Sequence, residues 1–129
     1  MYWLIPANPK FYDYFKEFKD NGFIDWHQIG NYSVGEIVFI YSGSPYKRIT
    51  FKTIVEKVNI LKDNAFDDEV YHYENSPLKT YTKYIRLRLV SSYNTDKLSL
   101  YNLQQHGLKS APQGKMKLKD DLLEYILNE

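Results

Sequence analysis

The stretch from Gly35 to Val58, GEIVFIYSGSPYKRITFKTIVEKV, constrains the fold more than any other. Glu36 to Tyr41 contains an apolar run without alternation, the mark of a strand covered on both faces. Ser42-Gly43-Ser44-Pro45 breaks it with turn residues. Arg48 to Val58 is a second β-branched run, in which Ile49 and Phe51 share one parity while Ile54 and Val58 share the other. A strand that changes its buried face midway needs a bulge or sharp bend, as a closing barrel does. The expectation is a hairpin at the heart of a small barrel, with the Ser-Gly-Ser-Pro turn at its rim.

The 129 residues suit one domain spanning 1–129, long enough to bury roughly two-thirds of its unfolded surface. Cysteine is absent, which excludes disulfides and thiolate metal sites. No apolar run approaches the roughly 20 residues of a membrane span, and MYWLIPANPK lacks the pattern of a signal peptide. The expectation is a cytoplasmic protein of bacterial type, without a membrane association.

A net charge of +1 argues against a strongly basic nucleic-acid clamp, but the charge is segregated. Asp63 to Asn75 carries Asp63, Asp67, Asp68, Glu69 and Glu74 with no Lys or Arg, whereas Lys79 to Arg88 and Lys109 to Lys119 each carry four bases and no acid. Aromatics are the stronger anomaly: 13 Tyr, 7 Phe and 2 Trp make 17% of the chain. Tyrosine joins a flat apolar ring to a polar tip and suits half-buried rims and stacking surfaces, although packing of a small barrel accounts for most of these rings.

Tyr2 to Ile5 reads as a short strand. Asn8-Pro9 predicts a helix start, with Asn as the cap, Pro at the first position, an apolar stripe of Phe11, Tyr14, Phe15 and Phe18, and Gly22 near the end. Phe23 to Tyr32 has no clean period and reads as a connector containing Trp26. Asp63 to Thr80, polar and interrupted by Pro77, predicts a long surface excursion of the kind that often carries function. From Thr82 to Val90, Ile85, Leu87 and Leu89 face one way and Tyr84, Arg86 and Arg88 the other, a half-buried strand. Ser99 caps an expected helix from Leu100 to Gln105, stopped by Gly107. A short strand around Met116 follows, then a last helix with Asp120 and Asp121 at its positive end and Leu122, Leu123, Ile126 and Leu127 inward.

Catalytic signatures are absent: there is no GxSxG, P-loop or GxGxxG. His27, His72 and His106 stand far apart, without metal-ligand spacing, and no cofactor is expected. Asp67, Asp68, Glu69 and His72 are the residues a metal-dependent nuclease could use; as a solvated acidic loop they need no such role. Binding is better supported. Trp26 is followed by His27, Gln28 and Asn31, an indole beside groups that read hydrogen-bond edges, which is the composition of a pocket for a planar ring; a plug at the barrel end is the structural alternative.

Together these segments resemble the EVE domain of the PUA-like superfamily, which also contains the YTH readers of methylated adenine. MYWLIPANP resembles the family's opening strand, Trp26 with Asn31-Tyr32 its Trp-x-x-x-x-Asn-Tyr connector, Gly35 to Ser42 its Gly-Asp-apolar-Tyr-His-Ser strand, and Leu108 to Leu118 with the closing helix its Gln-Gly-x-apolar ending. The chain departs from the family pattern at Pro6-Ala7-Asn8, where Lys-Ser-Glu is common, and at Ile29-Gly30-Asn31 in place of Val-Arg-Asn. The resemblance implies an α+β fold, a PUA-like mixed β pseudo-barrel with helices packed outside, and a rim pocket that holds a flipped, often methylated base of DNA or RNA.

Carried over by residue, that pocket involves Ala7, Asn8, Trp26, Tyr41 and Ser42, with Gln113 in the C-terminal segment; the reading of the residues themselves adds Gln28 as an edge reader. Phosphates flanking a flipped base call for cations at the pocket mouth. Lys47, Arg48, Arg86, Arg88, Lys109 and Lys115 are the candidates, and Asp63 to Glu74 is expected elsewhere. Relatives in restriction systems imply a partner nuclease or restriction component. A PUA-like metal-dependent hydrolase and a protein-interaction domain without a ligand are the alternatives.

Overall fold

The computed structural model describes residues 1–73 and 81–129. Glu74, Pro77 and the rest of the expected excursion as far as Thr80 lie outside the described residues. Among the described residues six strands form one mixed sheet: β1 (Tyr2–Ala7), β2 (Phe23–His27), β3 (Ile37–Ser42), β4 (Arg48–Leu61), β5 (Lys83–Ser92) and β6 (Met116–Lys117). Among the described residues three α-helices accompany it: α1 (Tyr14–Asn21), α2 (Leu100–Gln104) and α3 (Asp120–Leu127). The strand order is β2-β5-β4-β3-β1-β6, with β1 parallel to β3 and every other pairing antiparallel.

Strand β3 is covered on both faces, as its unbroken apolar run requires. Val38 and Ile40 enter one core cluster with Tyr12, Tyr14, Phe18, Ile24, Phe51 and Ile85, while Phe39 and Tyr41 enter a second with Leu98, Leu103, Leu118 and Ile126. The expected irregularity in the following strand is present, but it divides different residues. Ile40 pairs with Phe51 and Tyr41 with Ile49, so the register slips at Thr50. That slip sends Ile49 to the second cluster and Phe51 to the first, although they share a parity in the sequence. Further register shifts against β5 between Val55 and Ile60 bring Val58 back onto the first cluster.

Two expectations about the first third of the chain are corrected. The helix does not begin at Asn8-Pro9: the Asn8 side chain accepts from Lys10 N at 2.9 Å and closes a local turn instead. Residues 11–13 then pair with 71–73, through Asp13 N to Tyr71 O at 2.6 Å and Tyr73 N to Phe11 O at 3.0 Å. Only after this pairing does α1 start, with Asp13 as its cap accepting from Lys16 N at 3.0 Å, and it ends at Gly22 in the left-handed conformation, φ 77°. The stretch read as a connector contains β2, which pairs with β5 from Phe23↔Arg88 to His27↔Tyr84.

The later elements follow the sequence more closely. Ser99 caps α2 by accepting from Asn102 N, β6 falls at Met116, and α3 opens on Asp120 and Asp121. Leu122 and Ile126 are buried as expected, but Leu127 is exposed. Among the described residues no helix is long and apolar enough to cross a membrane.

Candidate functional site

A cleft of about 530 Å3 opens where the two ends of the sheet approach each other. The end of β1 and the turn after it supply Ile5 to Asn8, β2 supplies Asp25, Trp26 and His27, and the segment before β6 supplies Gln113, Gly114 and Lys115. Lys115 ties the two ends together. Its Nζ donates to Asn31 O at 2.5 Å and sits 3.9 Å from the Trp3 ring centre and 3.8 Å from that of Tyr32. Desolvation there lowers the pKa of the ammonium group.

The wall is aromatic. Trp26 lies 6.0 Å from Tyr12 in a stacked arrangement, and Tyr12 in turn stacks on His72 at 4.3 Å with an interplanar angle of 3°. His27 stacks on Tyr81 at 4.2 Å, and Tyr84 completes the lining. Tyr12 is held because its polar tip is satisfied below the surface. The Tyr12 hydroxyl donates to Glu17, a fully buried carboxyl group on α1. Burial, then the nearby Glu17 charge and hydrogen bond, push the Tyr12 hydroxyl far above a phenol's ordinary pKa. Burial also pushes Glu17 up to about 7, against the Tyr12 hydrogen bond, which lowers it. Glu17 Oε2 has no hydrogen-bond partner among the described residues.

Two more charged pairs frame the cleft. Asp25, 1% exposed at its side chain, receives Arg86 Nε at 2.8 Å and Nη2 at 2.9 Å, and also accepts from Phe66 N at 2.7 Å. Asp68 accepts from His72 Nε2 at 3.1 Å, and this hydrogen bond raises the imidazole pKa. A positively charged His72 donates through that nitrogen.

Of the residues singled out from the sequence, Ala7, Asn8, Trp26 and Gln113 line this one cleft. Gln28, Tyr41 and Ser42 do not, each for a packing reason. Gln28 bridges to the β4 bend, donating to Asn59 Oδ1 at 2.9 Å and accepting from Asn59 N at 2.8 Å. Tyr41 points into the second core cluster, on the other face of the sheet. Ser42 is fully buried beneath α1, hydrogen-bonded to Tyr14 at 2.5 Å and Thr50 at 2.7 Å.

Among the six cations, Lys115 alone lines the cleft. Arg86 serves Asp25, Arg88 forms a paired contact with Glu56 at 3.0 and 3.1 Å, and Arg48 meets Asp96 at 3.2 Å. Lys47 and Lys109 have no ion-pair partner among the described residues. Contrary to the expectation that the acidic segment lies elsewhere, its Asp68 and His72 line the cleft. The pairing of residues 71–73 with 11–13 brings them there.

Sequence reasoning missed Tyr12 and Tyr81 as lining residues and Trp3 and Tyr32 as the seat of Lys115. Tyr12 sits inside the aromatic run FYDYF, and its place outside the helical stripe of that run was the available signal. The metal reading of the acidic segment finds no support in this geometry: among the described residues no group of three or more His, Asp or Glu side chains converges, and Asp67 accepts from Glu69 N in a local turn.

This sheet order, the outer helices and the cleft at the sheet ends define the class: an α+β protein with the PUA-like fold. The solved structures it is similar to are these. An ASCH protein from Zymomonas mobilis is 13% identical, with a TM-score of 0.63 over 98% of this chain and 94% of that one. A Pseudomonas putida protein is 18% identical, with a TM-score of 0.66 over 99% and 98%. Human THYN1, solved in complex with DNA containing 5-methylcytosine, is 14% identical, with a TM-score of 0.60 over 98% and 95%. At such identities the likeness is one of fold. No family model matches this chain, and no curated protein sequence does.

Proposed function

We propose that this protein is a nucleic-acid-binding module of the EVE type, a single domain whose cleft holds one base, probed for modification, after it has swung out of a DNA or RNA strand. The observation that carries this reading is the wall of Trp26, Tyr12 and His72 facing Asn8, Asp68 and Gln113 in one cleft. Flat rings offer stacking to any base, and amide and carboxylate groups read its edge. The volume of about 530 Å3 lies within the range of small-molecule sites. That THYN1, of the same fold, was solved with DNA containing 5-methylcytosine supports the choice of ligand class. A partner nuclease or restriction component and a cytoplasmic setting belong to the same proposal.

Binding of a labelled oligonucleotide panel, with and without base modifications, tests it by fluorescence anisotropy. At least one modified member should bind more tightly than its unmodified counterpart. Equal affinity, millimolar or weaker, for all members would refute the reading. Stacking on one aromatic side chain is worth about 1–3 kcal/mol, so Trp26→Ala should weaken binding about ten- to a hundredfold.

The phosphate contacts fall to the cations that no carboxylate holds. Lys47 follows the hairpin turn, and Lys109 lies in the segment leading to Gln113. Lys47→Glu should weaken binding of every oligonucleotide to a similar degree and reduce the slope of log affinity against log salt by about one. An unchanged salt slope would remove Lys47 from the phosphate path while leaving the cleft in place.

A further inference from the structure

Glu17 and Asp25 are the buried carboxyl groups among the described residues, and they are treated differently. Asp25 has its guanidinium partner, Arg86. Glu17 has no ion pair among the described residues, rests on the Tyr12 hydroxyl and leaves Oε2 without a partner. The titratable groups that face it are Tyr12 from the turn before α1, Asp25 from β2, and Asp68 and His72 from the acidic segment. All four line the cleft, with Arg86 beyond Asp25 and Glu69 beyond His72.

The link between Glu17 and the cleft is a single proton. The Tyr12 hydroxyl is hydrogen-bonded to Glu17 and lies beside Asp68 as well, yet a phenol has one proton to donate. When Glu17 is ionised, Tyr12 gives that proton to Glu17 and turns a lone pair toward the Asp68 carboxylate. When Glu17 is protonated, its own O–H donates to the Tyr12 oxygen, and Tyr12 donates to Asp68. The chain then runs one way, from Glu17 through Tyr12 to Asp68, with His72 donating to Asp68 from the other side at 3.1 Å. Protonation thus ties Asp68 to Tyr12, the ring on which His72 is stacked, and removes a negative charge from behind the wall. Both changes favour a polyanion in the cleft.

Resting on the proposed nucleic-acid-binding role, we propose that Glu17 is a proton switch behind the aromatic wall, so that the cleft holds nucleic acid while Glu17 is protonated and releases it as Glu17 ionises. Burial pushes this carboxyl group up to about 7, which sets the switch at neutral pH. Binding coupled to one proton should weaken about tenfold between pH 6 and pH 8. His72 loses its charge in the same direction, so the two groups are separated by mutation.

The test measures affinity for the tightest-binding oligonucleotide of the modified-base panel from pH 5.5 to 9 at constant ionic strength. The wild type should show the fall. Glu17→Gln, whose amide donates to Tyr12 as the protonated acid does, should keep at pH 8 most of the affinity that the wild type has at pH 6. His72→Phe keeps the stacked ring and should keep the fall, moved to higher pH because a neutral ring no longer favours ionised Glu17. A flat wild-type profile, an undiminished fall in Glu17→Gln, or a fall lost in His72→Phe would overturn the switch while leaving nucleic-acid binding intact. Thermal melting verifies that each variant is folded. Carbon NMR of the ligand-free wild type decides the matter without a variant: the Glu17 carboxyl signal should titrate near pH 7, and the Tyr12 Cζ signal should move with it. A Tyr12 signal indifferent to that titration would overturn the switch. Both signals moving together, with no oligonucleotide bound at any pH, would overturn the nucleic-acid reading and the release step that rests on it.

Discussion

Replacing Arg86 by alanine is expected to destabilise the fold by about 3–5 kcal/mol, because it strands a buried carboxylate. Asp25 is 1% exposed at its side chain, and without Arg86 it retains, among the described residues, only the Phe66 amide as a hydrogen-bond donor. Arg86→Lys should fall between the two, since an ammonium group keeps the charge but not the paired geometry. Urea denaturation of the three proteins measures this. A variant as stable as the wild type, with lowered oligonucleotide affinity and a shallower salt slope, would instead make Arg86 a phosphate contact.

Glu17 should make the fold less stable as pH rises. Its folded-state pKa of about 7 exceeds the ordinary 4.5, so the folded protein binds the proton more tightly than the unfolded chain. Stability is then greatest below the unfolded value and falls as pH rises from there to the folded one. At about 1.4 kcal/mol per pH unit the loss is about 3 kcal/mol. His72, raised by Asp68, contributes a loss of the same sign, so the two must be separated by mutation. Denaturation at pH 5 and pH 8 should show most of this loss in the wild type and only the His72 remainder in Glu17→Gln. The same loss in both would show that Glu17 does not carry it.

The sequence made the centre of the fold legible because local chemistry settles it. An apolar run without alternation made β3 a strand covered on both faces, and Ser99 and the Asp120-Asp121 pair marked their helix starts. What stayed hidden depends on residues distant in the chain. Phe23 to His27 did not read as a strand because Asp25 interrupts it, and the charge becomes acceptable only opposite Arg86, 61 positions away. The Asn8-Pro9 signal competed with a pairing between residues 11–13 and 71–73, which no local pattern announces. The site divided on the same line. Ala7 and Asn8, named through the family resemblance, and Trp26, named also from its polar neighbours, line the cleft, whereas Asp68 and His72 join it only through that long-range pairing. Ser42 was misplaced because a polar residue ending a strand reads as a rim position, while here it satisfies Tyr14 and Thr50 inside the core.

The most direct test of the central claim is to map ligand contacts by NMR during titration with an oligonucleotide carrying 5-methylcytosine. Base capture in the cleft predicts that the signals of Asn8, Tyr12, Trp26, His72 and Gln113 shift together and saturably, with the Trp26 indole among the largest. Shifts confined to other surfaces, or none at concentrations that saturate binding, would contradict it.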